Sequence, residues 1–315
     1  YYSGLLKYKR TFAEVHNIDA MFGINAEKWV TKKVVTAREK FEDAGIYDLN
    51  LATGTQGNGG GKTHNGTYSY IARLNYNYAE KYMVELMGRR DGNSKFAPGY
   101  RFKSFGSVSL GWAFSEEQFV EFLKPVLSFG KLRLSYGSSG NDVGLGDYDY
   151  VSTVSLGTAG FGTIPANQVS SGFGGLISYD RTWEKVSQKN FGIDLNFFDN
   201  RLKATFDYFI KDNTGMLVNV TYPGVLGGKS PKTNSGHLNV KGWEFTIGWR
   251  DQIKDFSYYA NFNIGDTKSL LKEMEGADSY GAGWNAAVNG YPLNSYFLYR
   301  TDGYFKDQAE VDRYY

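Results

Sequence analysis

Four short stretches between residues 191 and 264 decide the fold of this chain: FGIDLNF (191–197), LKATFDY (202–208), WEFTIGW (243–249) and YYANFNI (258–264). Apolar residues recur at every second position, and most residues between them are polar or small. Successive side chains of a β-strand point to opposite faces, so each stretch predicts a strand with one apolar and one polar face. Long strands of this kind are typical of an all-β, transmembrane, antiparallel β-barrel, apolar towards lipid and polar towards the lumen.

The same alternation predicts ten strands along the chain. We place them at 3–11, 17–28, 67–78, 82–91, 103–114, 127–137, 184–198, 201–217, 239–250 and 256–267. Short connections at 14–16, 79–81, 199–200 and 251–255 alternate with long ones at 29–66, 92–102, 138–183, 218–238 and 268–293. Outer-membrane barrels have short periplasmic turns and long extracellular loops, so this alternation favours such a barrel.

One connection on the short side is longer than the others. Residues 115–125 predict a helical turn that Ser115 caps and Pro125 ends. We interpret this segment as an elaborated periplasmic turn.

Four basic residues inside the predicted strands, Arg73, Arg133, Lys203 and Arg250, fall on the polar phase. An arginine or lysine facing lipid at the bilayer midplane costs about 2–4 kcal/mol, so this placement supports the barrel. The predicted lumen-lining residues on this phase are Arg73, Asn75, Arg133, Asp194, Asn196, Lys203, Glu244 and Arg250.

Composition excludes several other classes of protein. The 315 residues include 35 Lys+Arg and 33 Asp+Glu, and this net charge of +2 gives no support to a nucleic-acid partner. With no cysteine and three scattered histidines, thiolate and histidine metal sites are not expected. The mean hydropathy of −0.44 agrees with a barrel, in which only alternate residues need be apolar.

Three polar motifs have a structural interpretation that we prefer to a functional one. The segment GNGGGKT (57–63) lacks the spacing and context of a phosphate-binding loop and is interpreted as a flexible surface loop. Arg89, Arg90 and Asp91 are interpreted as a structural ion pair beside a turn at Gly92. Calcium bound in an external loop by Asp142, Asp147, Asp149 and Asp180 is an alternative that no motif supports, so we expect no cofactor.

Aromatic residues in or beside the long connections are the candidates for substrate binding. They are Tyr148, Tyr150, Phe173, Tyr179, Trp183 and Trp284. Packing of the loops is the simpler interpretation, whereas stacking on sugar rings or peptide side chains is the functional one. No nucleophile, histidine and carboxylate are grouped in a catalytic pattern, so we predict that the protein is not an enzyme.

Several ordered segments resemble one family, the SusC/RagA-type TonB-dependent transporters of Bacteroidota outer membranes. The resemblance spans nearly the whole chain and is weakest within 30–64 and 143–182. It is carried by SYIARLNYNY (69–78), KYMV (81–84), RRDGNSKF (89–96), FGSVSLGW (105–112), LRLSYGSSGN (132–141), WE (183–184), NFGID (190–194), NRL (200–202), DY (207–208), KGWEF (241–245), GYPLNSYF (290–297) and TDGYF (301–305).

This resemblance implies more than the residues themselves do. It implies a 22-stranded barrel, of which residues 1–315 would be a middle portion with about ten strands; we expect the plug domain, the TonB box and the C-terminal strands to lie outside this chain. The implied function is TonB-dependent import of a glycan or oligopeptide across the outer membrane of a Gram-negative bacterium. The implied partners are a SusD-like lipoprotein, TonB-ExbB-ExbD through the N-terminal part, and outer-membrane lipid.

Two other classes of function remain as alternatives. A passive porin or a small barrel has the same strand alternation and needs neither a plug nor a lipoprotein. A barrel protease or lipase needs a catalytic cluster at the rim, and the sequence predicts none.

Overall fold

A ten-stranded antiparallel sheet forms most of the computed structural model. The structure describes residues 1–314 except 42–44, 46–47, 162–165, 221–222, 228–229, 275–278 and 281–286, and for 155–161, 166–170, 173 and 279–280 it describes the backbone only. The strands of this sheet are β1 (Tyr2–Phe12), β2 (His16–Arg38), β3 (Gln56–Tyr78), β4 (Tyr82–Asn93), β5 (Phe102–Trp112), β6 (Leu127–Asn141), β9 (Glu184–Phe197), β10 (Leu202–Asn219), β11 (Lys232–Ile253) and β12 (Phe256–Met274). Each predicted strand is present, and neighbours in this order are hydrogen-bonded.

Four short reversals lie at one edge of the sheet, where the sequence predicts them. They join β1 to β2, β3 to β4, β9 to β10 and β11 to β12. Each contains non-glycine residues with positive φ, such as Ala79 (51°) and Glu80 (58°). Tight hairpins need left-handed residues because the twist of the turn then matches that of the strands.

The fifth connection at this edge differs in detail from its prediction. It contains two 3-10 helices, Phe114–Glu116 and Gln118–Leu123, and the second helix ends two residues before Pro125. The expected cap at Ser115 is wrong: Ser115 lies inside the first helix, and its buried Oγ has no hydrogen-bond partner. The anchor is Glu117, which accepts hydrogen bonds from Tyr82 Oη (2.6 Å) and Trp112 Nε1 (3.2 Å).

At the opposite edge, β2 and β3 extend beyond their predicted ends. Pairing continues from Trp29 with Asn65 up to Arg38 with Gln56, so the flexible loop expected at 57–63 is wrong. Glycine has no side chain, so this glycine-rich segment lacks the alternation of apolar and polar residues from which a strand is predicted. The β-branched residues of the partner strand, including Val34 and Thr36, supply the β-propensity that stabilises the pair.

Further short elements lie within the long connections. The segment between β6 and β9 contains a hairpin of β7 (Val154–Phe161) and β8 (Ala166–Phe173), while β6 pairs directly with β9. After β12 come the paired strands β13 (Ser279–Tyr280) and β14 (Ala287–Val288), and a helix, α1 (Gln308–Tyr314). No helix in the described part of the chain is long and apolar enough to cross a membrane.

The register determines which residues share a face of the sheet. Directly paired residues lie on the same face. A line of such pairs crosses the sheet from Asn75 through Glu85, Ser109 and Ser135 to Asn190, so these side chains share one face. All eight predicted lumen-lining residues share this face, which we call the polar face: Arg73, Asn75, Arg133, Asp194, Asn196, Lys203, Glu244 and Arg250. The opposite, apolar face carries residues such as Leu134, Phe191, Ile193, Phe206 and Phe245.

Candidate functional site on the polar face

Arg133 organises the centre of the polar face. Its guanidinium donates to both carboxylate oxygens of Asp194, from Nε at 2.7 Å and Nη2 at 3.0 Å, and to Asp207 Oδ2 at 3.0 Å. Asn190 donates to the other oxygen of Asp207 at 3.0 Å. A bidentate arginine–carboxylate pair fixes geometry as well as charge, so three strands are joined through one side chain.

Gly192 lies in the middle of this network. A Cβ at this position would lie 2.6 Å from Arg133 Cζ and 2.6 Å from Asp207 Oδ1. A larger residue here would push the ends of the Arg133 and Asp207 side chains aside, so glycine gives the network the space it occupies.

A second group of contacts lies where the long connections meet the strand ends. Trp183 is buried against Phe96 and Phe105, with ring centroids 5.2 and 6.2 Å apart, and Leu145 completes the cluster. Trp183 Nε1 donates to the carbonyl of Arg101 at 2.8 Å. This loop cluster (Phe96, Phe105, Leu145, Trp183) joins the 94–101 and 142–183 connections to β5.

Two buried polar side chains support the loop cluster. Glu184 accepts hydrogen bonds from Asn141 Nδ2 at 2.8 Å and from the backbone N–H of Leu217 at 2.7 Å. Arg181 is 6% exposed and donates to the carbonyls of Ser178 and Asp149. Burial lowers the pKa of Arg181, and Asp149 and Asp180 oppose this effect. Because arginine stays charged at any physiological pH, both carbonyl contacts persist.

Beneath the loop cluster, the polar face forms a cavity of about 460 Å³. Its lining combines charge with aromatic surface: Glu27, Ser69, Arg89, Asp91, Phe105 and Trp183. Arg89 Nε lies 2.6 Å from Asp91, and the Arg89 side chain is 45% exposed whereas that of Asp91 is 9% exposed. The guanidinium therefore remains accessible in the cavity although it is paired, and it can donate to a polar ligand.

A second cavity of about 430 Å³ lies further along the same face, towards the short turns. Asn75, Glu85, Lys131, Arg133 and Asn190 are among its lining residues. Both cavities are lined by hydrogen-bonding side chains from the same phase of the strands. The polar face thus offers successive contacts to a polar molecule moving along it.

The structure distributes the predicted loop aromatics over several environments. Trp183 lines the first cavity from within the loop cluster, whereas half-exposed Tyr179 packs edge-on against Tyr100 and lines an outer groove. Tyr148 contacts His64, and Tyr150 Oη accepts from Arg101 at 3.5 Å. The side chain of Phe173 and the whole of Trp284 lie outside the described residues. Substrate contact by these aromatics stays a prediction.

The four loop aspartates are held by separate partners. Asp142 accepts from Asn93, Asp147 from Asn65, Asp149 from the N–H of Gly146, and Asp180 from Ser178. Within the described residues, no three histidine or acidic side chains come together as a metal site would require. Calcium binding remains an untested alternative.

The interpretation of residues 89–92 as an ion pair beside a turn is only partly confirmed. The ion pair between Arg89 and Asp91 is present, but the turn at Gly92 is wrong, since Gly92 lies inside β4. A Cβ there would approach the Phe102 ring to 2.4 Å, so close packing rather than a turn explains the glycine.

Sequence reasoning missed the residues that line the first cavity beside Trp183. Glu27, Ser69 and Phe105 were not singled out, because they are far apart in the chain. They share one signal, since each lies on the polar phase near the end of a strand as the sequence predicts it, next to a predicted long connection.

The described geometry can be compared with known proteins. The family profile described as "TonB dependent receptor-like, beta-barrel" matches residues 2–314. This chain belongs to that family. Members of the TonB-dependent receptor family are outer-membrane β-barrels and transporters rather than enzymes.

Curated relatives of this family agree with the assignment to the SusC/RagA type. TonB-dependent receptor P39 of Formosa agariphila is 28% identical over 313 residues, which are 95% of this chain and 28% of the relative. TonB-dependent receptor SusC of Bacteroides thetaiotaomicron is 28% identical over 256 residues, 76% of this chain and 25% of the relative. The chain therefore spans less than a third of these relatives.

Solved structures show the same fold. The structure of the RagAB peptide transporter superposes with a TM-score of 0.82 at 24% identity, covering 93% of this chain and 32% of that one. The closed-closed state of the RagAB peptide importer gives a TM-score of 0.81. The ten-stranded sheet is accordingly part of a TonB-dependent barrel.

Proposed function

We propose that this chain forms part of the wall of a TonB-dependent importer that carries a large polar nutrient, a glycan or an oligopeptide, across the outer membrane of a bacterium of the Bacteroidota type. In this proposal residues 1–315 are a middle portion of the barrel. The plug and the TonB contact are supplied by other parts of the full-length protein.

The observation that carries the proposal is the cavity beneath the loop cluster. It combines an accessible guanidinium at Arg89, carboxylates at Glu27 and Asp91, and aromatic surface at Trp183. Ligand sites typically combine apolar walls with a few placed polar groups, and a glycan or peptide offers partners for both. The second cavity, around Arg133, continues the polar lining towards the short-turn edge.

The relatives support the proposed partners. SusC and the RagAB transporter support a SusD-like surface lipoprotein that covers the loops, and TonB-ExbB-ExbD as the source of energy. The long connections, and the extended hairpin of β2 and β3, are the surface on which such a lipoprotein would sit.

Purification of the full-length protein from detergent-solubilised outer membranes tests the lipoprotein partner. We expect a SusD-type lipoprotein in one-to-one ratio, identified by mass spectrometry. Recovery of the barrel alone, under conditions that preserve a known SusC-type complex as a control, would contradict this part of the proposal.

Energy dependence separates the importer from a passive porin. Uptake of the nutrient by an importer stops when TonB is deleted or the proton-motive force is collapsed, whereas diffusion through a porin continues. Uptake that is unchanged by both treatments would establish the porin alternative.

A pair of variants tests the cavity itself. Arg89→Gln removes the accessible charge, and Lys9→Gln removes a charge from the same face of β1, away from the cavity. We expect Arg89→Gln to weaken nutrient binding about tenfold, the loss of one charged hydrogen bond, while Lys9→Gln leaves it unchanged. Equal binding by both variants would exclude this cavity as the binding site.

A further inference from the structure

Three lysines form a row on the apolar face, at the level where that face ends. Ile210 pairs with Lys189 on β9 and with Lys241 on β11, and Lys241 pairs with Lys268 on β12. The three lysines therefore lie on one transverse line of the sheet, and all three are exposed. We call this set the lysine row (Lys189, Lys241, Lys268).

Below the lysine row, towards the short turns, the same face is almost wholly apolar. Four lines of directly paired residues cross β9 to β12 there. From the lysine row towards the short turns, they contain Phe191, Tyr208 and Trp243; Ile193, Phe206, Phe245 and Ile264; Leu195, Ala204, Ile247 and Phe262; and Phe197, Leu202, Trp249 and Ala260. The one charge among them is Asp266, opposite Trp243.

The height of the row can be estimated from strand geometry. From Leu202 to Ile210 the strand rises about 27 Å, which is about 20 Å along the membrane normal at a tilt of about 40°. The apolar band of an outer-membrane barrel is about 25 Å tall. The lysine row therefore lies at the upper boundary of the band, on the side of the long connections and so of the outer leaflet.

Within the described residues, none of these three ammonium groups has a carboxylate at ion-pair distance. The nearby Asp212 is engaged by His237 Nε2 at 3.1 Å, Asn239 Nδ2 at 2.9 Å and Lys272 Nζ at 3.8 Å. Lys241 and Lys268 oppose each other directly across neighbouring strands, and like charges in that position destabilise a sheet. An anion shared between them would remove the repulsion.

The surroundings of this pair are concave. A cavity of about 740 Å³ is lined by Lys241 and Lys268 together with Tyr208, Trp243, Asp266, Asn239 and Pro292. After β12 the chain comes back alongside this strand, and the Leu271 N–H donates to the carbonyl of Tyr291 at 3.0 Å. Pro292 is the next residue after Tyr291, which places it beside the two lysines. The cavity thus has two ammonium groups and one carboxylate, a net positive charge, beside aromatic and apolar surface.

We propose that the lysine row, with Lys241 and Lys268 at its centre, binds the phosphate of a phosphorylated lipid headgroup in the outer leaflet. Lysine supplies compact point charges suited to phosphate. The acyl chains of the same lipid lie against the apolar lines below, beginning at Tyr208 and Trp243. A free phosphate would gain only the first of these contacts, so the lipid is the favoured occupant.

The test uses the full-length receptor, purified, delipidated and examined by native mass spectrometry. It is titrated separately with a phosphorylated outer-leaflet lipid, with the same lipid after enzymatic dephosphorylation, and with inorganic phosphate. We expect the phosphorylated lipid to bind at least about tenfold more tightly than either of the other two, because only this lipid combines a phosphate attracted by the lysines with acyl chains on the apolar face.

Three double variants make the test specific. We expect Lys241→Ser with Lys268→Ser to lose about tenfold or more in affinity for the phosphorylated lipid, and Lys241→Arg with Lys268→Arg to retain it. Lys7→Ser with Lys9→Ser removes the same charge from the polar face of β1 and should bind like the wild type. Heat-modifiable electrophoretic mobility checks that each variant forms the barrel.

Two results would overturn the proposal. One is equal lipid affinity of the wild type and the serine double variant, both correctly assembled. The other is wild-type binding of dephosphorylated lipid or inorganic phosphate as tight as that of the phosphorylated lipid. The assay does not use the nutrient, so its outcome is independent of the proposed import function.

Discussion

Single side chains on the two faces of the sheet have different roles. On the polar face, Arg133 serves two carboxylates at once, and Asp194, Asp207 and Asn190 are all held by the same small network. On the apolar face, Phe206 lies in a line of residues without a charge, between Ile193 and Phe245. Substitutions on the two faces should therefore fail for different physical reasons.

Exchange of charge between the faces tests their assignment. We expect Phe206→Lys to impair assembly, since a lysine facing lipid near the midplane costs about 2–4 kcal/mol. Lys203→Phe, on the polar face of the same strand, should be tolerated better. The amount of heat-modifiable barrel in isolated outer membranes measures both, and equal losses would show that the faces are wrongly assigned.

Removal of Arg133 tests the carboxylate network. Arg133→Met leaves Asp194 and Asp207 close together without a cation, and we expect a loss of about 1–2 kcal/mol after discount for partial solvent access. Lys203→Met is the matched control, because this lysine on the same face lies opposite Asn196 and Gly248 and is not in an ion pair among the described residues. Thermal unfolding of the full-length barrel in detergent compares the two variants. An equal decrease in melting temperature for both would show that the network does not stabilise the barrel.

At the level of elements, aromatic residues hold the connections at both edges of the sheet. At the short-turn edge, Tyr82 and Trp112 on the apolar face hold the β5–β6 connection through Glu117. At the other edge, Trp183 holds the β6–β9 connection through the loop cluster. In both cases an N–H or O–H of a ring reaches an acceptor on the connection or beside it.

The contact of Glu117 should depend on pH. Hydrogen bonds from Tyr82 and Trp112, with the charge of Lys81, lower the pKa of Glu117 below its ordinary value of 4.5. A lowered pKa contributes stability that is complete above the unfolded value and is lost as pH falls through the folded value. We expect thermal unfolding to show a difference between wild type and Glu117→Gln at pH 7 that shrinks below about pH 4. A difference that does not change with pH would show that the carboxylate charge is irrelevant.

Two glycines allow a matched test of the loop cluster. A Cβ at Gly140 would lie 2.4 Å from Phe105 Cζ and 2.9 Å from Trp183 Cε3, whereas a Cβ at Gly88 meets nothing within 4 Å. We expect Gly140→Val to displace both rings and to speed limited proteolysis within 142–183 about tenfold or more, a loss of about 1.4 kcal/mol in local stability. Gly88→Val should be cleaved like the wild type, and equal rates for the two variants would contradict the packing role.

Across the whole molecule, the strands serve two functions along their length. The half near the short turns forms a regular two-faced wall, and the half near the long connections continues as extended hairpins and packed loops. The β2–β3 hairpin contacts the 142–183 connection through His64 with Tyr148 and through Asn65 with Asp147 (3.0 Å). The loops are thus joined to one another above the wall.

Removal of the hairpin extension should separate these two functions. If residues 29–65 are replaced by an Asn-Gly turn, we expect normal insertion in the outer membrane, because the paired residues below Lys28 and Gly66 remain. Proteolysis within 142–153 should become faster, since two contacts of that connection are lost. His64→Ala with Asn65→Ala in the intact hairpin should give the same change, and failure of insertion would show that the extension belongs to the wall.

The sequence predicts the wall better than it predicts the site. Alternation identifies every strand of the ten-stranded sheet, because one face of each strand must be apolar. It misses the extension of β3 through 57–63, where glycines leave no pattern, and the position of Ser115, where local composition favours a cap that the 3-10 geometry does not use. The lysine row is invisible in the sequence, because Lys189 and Lys268 lie 79 residues apart and only the register aligns them.

The register also limits how the length of this protein can change in evolution. From Leu202 to Thr214, β10 pairs with β9 and β11 without a slip, and its irregularities occur only beyond Thr214. One inserted residue in the regular part would send every following side chain into the opposite medium, charges into lipid and phenylalanines into water. Changes of length in relatives should therefore come as pairs of residues within the wall, or singly at the bulges near Met216 and Leu238 and in the long connections.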